Sequence, residues 1–253
     1  MRIVDLNADL GEVSSARGAE LDQALLEIVT SANVACGGHA GDADSMRRVC
    51  DAATAASVAI GAQVSYVDRE GFGRRALSVS PSLLADQLHE QITALEEAAR
   101  LSGGRVAYLK PHGALYHAAA KQPEVAHAVV SVAVDASLPV LTQPLGHLHS
   151  QARDAGLPVF GEAFADRAYE PTGHLVSREH PDAVVSDPTA VVSRVVEWAA
   201  TGLVRTRTGE LIEIDAISMC LHGDTPGAVD LARSARRALE KAGVPVRPFI
   251  EKP

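Results

Sequence analysis

The sequence predicts an α/β protein, a single closed (β/α) barrel spanning residues 1–253, and three observations predict it. The chain has 253 residues, the size of one α/β barrel domain. Short apolar runs alternate with longer amphipathic stretches, the pattern of repeated strand–helix units and not of a sandwich or bundle. About seven such units are visible, close to the eight of a full barrel, so seven strands are expected. A doubly wound open sheet is the rival, because periodicity does not show whether a sheet closes.

The elements follow in order. "RIVDLNA" reads as the first strand, and Leu21, Ala24, Leu25 and Ile28 recur at helical spacing after it. "ANVAC" is the second strand, with Asp42 placed to cap the helix that follows. "VAIGAQ" is the third. Ser80-Pro81 then sets a capping hydroxyl before a proline in a first helical turn, and Leu84, Leu88, Leu95 and Ala99 mark the buried face. "VAYLK", "PVLTQ" and "PVFGE" are the next strands, Asp187-Pro188 starts another helix, and "AISMCLH" is the last strand. Asp224-Thr225-Pro226 opens the final helix, whose apolar face is Ala228, Leu231, Ala232, Ala235 and Leu239. Two long polar stretches, residues 65–81 and 165–188, read as loops over a site.

Charge and cysteine usage narrow the function. A net charge of -9 without clustered Lys or Arg argues against nucleic acid or an anionic membrane as partner. No apolar run reaches spanning length, and Asp5 and Asp9 fall where a signal peptide needs apolar residues, so a cytoplasmic location is expected. Cys36, Cys50 and Cys220 are widely spaced, which suits reduced thiols and not a disulfide framework or a structural zinc site. Cys36 and Cys220 lie in apolar strands and read as core.

In parallel α/β folds the site forms at the carboxyl ends of the strands. Those ends carry Asn7, Asp9 and Glu12; His39 and Asp42; Gln63, Ser65 and Tyr66; Lys110 and His112; Glu162, Asp166 and Arg167; and His222 and Asp224. Gly37 and Gly38 are expected to turn the backbone off its strand, approach a ligand and deliver His39 to the rim. His39, His112 and His222 each follow a strand beside glycine or proline and are read as functional. Lys110, charged at the end of an apolar strand, needs an anion or carboxylate there.

The segments "DLNADLGE", "TSANVACGGHAGD", "GFGRRALSVSP", "LKPHGALYH", "FADRAYEPTGHLVSR" and "CLHGDTP" resemble, in order, the LamB/YcsF family over nearly the whole chain. The resemblance implies a deacetylase-like barrel that opens 5-oxoproline to L-glutamate with ATP as co-substrate and Mg²⁺, alongside separate B and C subunits. Two departures stand out. The family usually reads "GAHPSY" where this chain has Gln63 and Val64, and "VSSARGAE" replaces a longer aromatic and glycine-containing segment. The implied mechanism phosphorylates the lactam oxygen and lets water attack the activated carbon. No Walker-type phosphate loop occurs, so Lys110 and the pair Arg74-Arg75 are candidates for phosphate contacts. Asp9 and Glu12 are candidates for Mg²⁺. Asp9, His39, Lys110, His112 and His222 are expected to be catalytic, with Asn7, Glu12, Gln63, Glu162, Asp166 and Arg167 binding substrate or phosphate. Two other readings are a metal-dependent amide hydrolase with Asp9 and His39 as ligands, and a non-catalytic substrate-binding subunit. No transition metal is expected.

Overall fold

The structure, a computed structural model, describes residues 3–178, 180–221 and 227–250. Seven parallel strands close into a barrel. They are β1 (Asp5–Leu10), β2 (Ser31–Ala35), β3 (Ala59–Val64), β4 (Val106–Pro111), β5 (Val140–Thr142), β6 (Val159–Phe164) and, after a small antiparallel hairpin of β7 (Leu203–Arg205) and β8 (Leu211–Glu213), β9 (Ser218–Cys220). Closure comes from β9, which pairs with β1 on one side and β6 on the other. Among the described residues the helices are α1 (Ala16–Leu26), α2 (Ala43–Ala56), α3 (Pro81–Leu101), α4 (Gly113–Lys121), α5 (Pro123–Asp135), α6 (His147–Asp154), α7 (Pro188–Thr201) and α8 (Ala228–Lys241). The open-sheet alternative is thereby excluded.

The caps fall where the sequence places them. Asp42 closes a reciprocal capping box with Ser45, Ser80 accepts from the Leu83 amide, and Asp187 accepts from the Thr189 amide. Residue Asp224, expected to cap α8, lies outside the described residues. Buried Ala228, Ala232, Ala235 and Leu239 give α8 its inner face, with Leu231 half-buried beside them. Between β4 and β5 stand two helices instead of one, because Pro123 lacks the amide that would continue α4 and fits the first turn of α5. The hairpin of β7 and β8 was not foreseen either; its three-residue strands are too short to show a period.

Strand β1 runs to Leu10, not to Ala8 as expected, and the extension changes what its polar residues do. Alternation sends Leu6, Ala8 and Leu10 outward into the apolar layer beneath the helices, and Asp5, Asn7 and Asp9 into the lumen. The lumen is therefore polar. At its floor Asp5 accepts from Thr30 (2.6 Å), Ser31 (2.7 Å) and Ser218. Burial outweighs these bonds and pushes the Asp5 carboxyl up to about 6. One layer higher Asn7 donates to Ser218 and accepts from Asn33, both at 2.7 Å, and Tyr108 donates to Asn33 at 2.7 Å.

Gly61 makes room for that tyrosine, since a Cβ at 61 would run into the Tyr108 ring. Gly61→Ala should therefore destabilise the fold by about 1–3 kcal/mol through overpacking. Denaturant titration would show this as a lower midpoint at unchanged slope, and an unaltered midpoint would mean the lumen yields more easily than its packing implies.

Candidate functional site

Three side chains from strand ends meet at the top of the lumen. Lys110 on β4 reaches across the barrel to Asp9 on β1 (Nζ–Oδ1 3.2 Å) and pairs with Glu162 on β6 (2.7 Å). The same ammonium contacts Asn7 Oδ1 and the Cys220 sulfur, each at 3.3 Å. Burial disfavours its charge, but Asp9, the Cys220 sulfur and Glu162 outweigh that and hold Lys110 well above its usual range. An ammonium has three protons, so four acceptors leave none to spare for a phosphate. Lys110 instead ties Asp9 to Glu162 across the lumen. It is also not on an exposed strand end: only 3% of it is accessible, and His112 is 7% accessible.

Beside this cluster lies a second, hydrogen-bonded one. Gln63 Nε2 donates to Glu12 Oε1 (3.0 Å) and contacts His112 Nδ1 (2.8 Å), while His39 Nε2 contacts Glu12 Oε1 (3.1 Å) and His39 Nδ1 contacts Ser65 Oγ (2.9 Å). A carboxylate only accepts, so the nitrogen of the Gln63 amide must face Glu12. That same nitrogen then donates to His112 Nδ1, which leaves the His112 proton on Nε2. Nε2 has no hydrogen-bond partner among the described residues. By the same logic His39 donates from Nε2 to Glu12. Burial lowers His39 despite the Glu12 bond, so its ring is neutral at pH 7. The two imidazoles stack, with centroids 3.8 Å apart, and Phe72 closes over both edge-on.

The glycines at 37 and 38 serve this arrangement differently from expectation. Gly37 has φ +104, a backbone open mainly to glycine. A Cβ on Gly38 would collide with Ser65 and Gln91, the latter on α3 and bonded to both the amide and carbonyl of Ser65 at 2.9 Å. The close approach is thus to protein, not to ligand, and it seats His39 under Ser65.

Glu12, His39 and His112 offer three donor atoms within 4.8 Å of one another. Two nitrogens and one oxygen suit a zinc-class ion. Yet Gln63 sets an N–H donor at the remaining corner, bonded to two of the three, so in this arrangement the cluster is closed by hydrogen bonds and does not fit a cation. Nor does magnesium fit Asp9 with Glu12: Asp9 Oδ1 is held by Asn33 (2.8 Å) and Lys110, and the next donors are imidazoles, not the oxygens magnesium favours.

A cavity of about 380 Å³ opens on this end of the barrel. Asp9, Lys110, His112 and Phe164 lie at its base, the face of α4 carrying His117 and Lys121 forms one wall, and Arg74, Arg167, Ser177 and Arg178 come from the two long loops, as expected of them. Arg74 stands over the Phe72 ring at 4.9 Å. Arg75 does not join it; its guanidinium binds Asp68 (Nε–Oδ1 2.8 Å) and faces Glu70. Asn7, Glu12, His39, Gln63, Glu162 and Asp166 are not among the residues that line the cavity, and His222 lies outside the described residues. Cys36 and Cys220 are buried with their thiols pushed up by desolvation, as core residues would be. His117, Lys121 and Arg178 were missed. A signal existed for the first two: Ala114, His117, Ala118 and Lys121 share one helical face directly after a strand end.

The chain is similar to known proteins both in sequence and in fold. Residues 4–253 match the LamB/YcsF family. The A subunit of 5-oxoprolinase from Streptomyces avermitilis is 55% identical, over 98% of this chain and 100% of its own length. The crystal structure of a lactam utilization protein from Thermus thermophilus superposes with a TM-score of 0.91 at 37% identity, covering 98% of this chain and 100% of that one. A family 4 carbohydrate esterase from Streptomyces lividans shares the barrel at a TM-score of 0.51 and 14% identity, over 97% of this chain and 91% of that one, a likeness of fold alone. No described helix is long and apolar enough to cross a membrane.

Proposed function

The chain belongs to the LamB/YcsF family, and on that premise we propose that it is the A subunit of a 5-oxoprolinase, opening the lactam of 5-oxo-L-proline to L-glutamate with ATP as co-substrate and B and C subunits as partners. The observation that carries the reading is the meeting, on one cavity floor, of a carboxylate paired with a buried ammonium (Asp9 with Lys110) and an imidazole N–H that has no partner among the described residues (His112 Nε2). Those are the two groups that lactam opening needs.

A five-membered lactam recloses readily, so phosphorylation of its oxygen, with departure of ADP, supplies the driving force. Water then adds to the activated carbon, and Asp9 accepts its proton. As the ring C–N bond breaks, His112 Nε2–H protonates the departing nitrogen and an acyl phosphate remains; a second water then attacks its carbon, and phosphate leaves with the former lactam oxygen to give the carboxylate of glutamate. Arg74, at the cavity mouth, offsets charge on the transferring phosphoryl group. The activity agrees with the names of the relatives, the A subunit of 5-oxoprolinase and a lactam utilization protein.

The test is reconstitution. ATP-dependent release of glutamate and ADP from 5-oxoproline is expected only when this chain is present with its partner subunits. Turnover without this chain would reduce it to an accessory. Hydrolysis that needs no ATP and stops on chelation would replace the proposal with the deacetylase-like reading.

A further inference from the structure

The cavity wall away from Asp9 is more basic than the proposed chemistry requires. Among the described residues its lining holds Arg74, Lys110, Lys121, Arg167, Arg178, His112 and His117 against a single carboxylate, Asp9, which Lys110 already engages. The whole chain carries a net charge of -9, so this concentration of positive charge is local. Solvated surface cations explain Lys121 and Arg178, which are exposed, but not Arg167, which is 2% accessible. Its guanidinium is tethered to backbone carbonyls, Val176 (2.6 Å) and Ala183 (3.2 Å). Burial, and next the charge of Arg178, lower Arg167 to about 10. His117 on the facing helix is driven down to about 4 by burial and then by Arg167, Lys121, Arg178 and His174. Like charges gathered in one cavity repel one another, and an anion seated among them relieves every pair at once. Three separate segments contribute, so no surface helix pattern accounts for the cluster.

Resting on the reading of the chain as part of a 5-oxoprolinase, we infer that His117, Lys121, Arg167 and Arg178 form a receptor for the carboxylate of the lactam substrate. The receptor turns the ring so that its amide faces Asp9 and His112. It thereby selects lactams that carry an acidic group over plain cyclic amides. His117, neutral, gives one N–H to the carboxylate, Arg167 gives its planar fork, and Lys121 and Arg178 at the mouth draw the anion in. A phosphate from the nucleotide shares the same oxyanion chemistry, and the experiment separates the two sources.

Calorimetric titration of the full chain with 5-oxo-L-proline, with 2-pyrrolidinone, which is the same ring without the carboxylate, with inorganic phosphate and with glutarate provides the test. The wild-type protein is expected to bind 5-oxoproline at least a hundredfold more tightly than 2-pyrrolidinone. Arg178→Ala and Lys121→Met should each weaken 5-oxoproline binding about tenfold or more and change 2-pyrrolidinone binding less than twofold. Both exchanges are at exposed positions and leave the core untouched. Equal affinity for the two lactams in the wild type, or equal losses for both in the variants, would overturn the receptor. Loss of phosphate binding with 5-oxoproline binding intact would reassign the wall to the nucleotide and equally overturn it. Should neither lactam bind while glutarate binds and is lost in Arg178→Ala, the carboxylate receptor stands and the 5-oxoprolinase reading falls. Absence of binding by every carboxylate tested would refute the receptor itself.

Discussion

Lys110→Met should lower the kcat of lactam opening by about 10²- to 10⁴-fold, the range that a positioned acid or base contributes. Without the ammonium, the carboxylates of Asp9 and Glu162 share one buried site, and one of them takes up a proton. Asp9 then no longer accepts a proton from water at neutral pH. The acid limb of the pH–rate profile should move to higher pH, a shift that loss of folded protein alone would not produce. Stability falls as well, because breaking a buried pair on one side costs about 3–5 kcal/mol. The double variant Lys110→Met with Glu162→Gln separates the two effects: removing the second negative charge should restore most of the stability, while Asp9, still buried and now without any counter-charge, stays protonated at neutral pH and kcat stays low. Activity that returns along with stability would make Lys110 a purely structural residue.

Gln63 is the second position where a large effect is expected. Gln63→Leu removes the donor that holds His112 in its Nε2–H form, and the ring is then free to place its proton on Nδ1 toward Asp9, 3.5 Å away. A fall in kcat of about a hundredfold with little change in KM is the expected result, since the loss is felt in proton transfer and not in binding. Gln63→His, by contrast, adds a titratable ring at this site, and kcat should rise tenfold or more. The same exchange opens the corner that Gln63 closes, so the variant should also take up a zinc-class ion on Glu12, His39, His112 and the new ring. Elemental analysis of the variant beside the wild type, and turnover before and after chelation, tell the proton effect from the metal effect. A lower kcat in Gln63→His with the fold intact would count against any proton-relay role at this position.

The barrel was legible because its signals are local: capping pairs at Ser80, Asp42 and Asp187, and apolar runs of strand length. The site was legible only in part, for reasons that differ by residue. Asp9, Lys110 and His112 could be found because a polar residue at a strand end points to one place in this architecture. What Lys110 does there could not be read, because its four acceptors come from strands far apart in sequence. Asp5, Asn7 and Asp9 alternate openly, yet a strand taken to end at Ala8 put Asn7 at the rim when it belongs to the lumen. Arg74 and Arg75 are neighbours of identical chemistry. Only the fold of the loop, with Asp68 beside Arg75, shows which of them faces the cavity.

The closing strand β9 has a consequence for how the chain is made. Its partner β1 lies 213 positions earlier, from Asp5 to Ser218. At the pace of synthesis, about 5–20 residues per second, the first strand waits roughly 10 to 40 seconds for the strand that will flank it. During that interval β1 offers a free edge to other nascent chains on the same message. Inward-pointing charge is one device that discourages such edge-to-edge association. Asp5, Asn7 and Asp9, spaced along that one strand, would have to be buried without their eventual partners in any such pairing, so the residues that later line the lumen also guard the unfinished barrel.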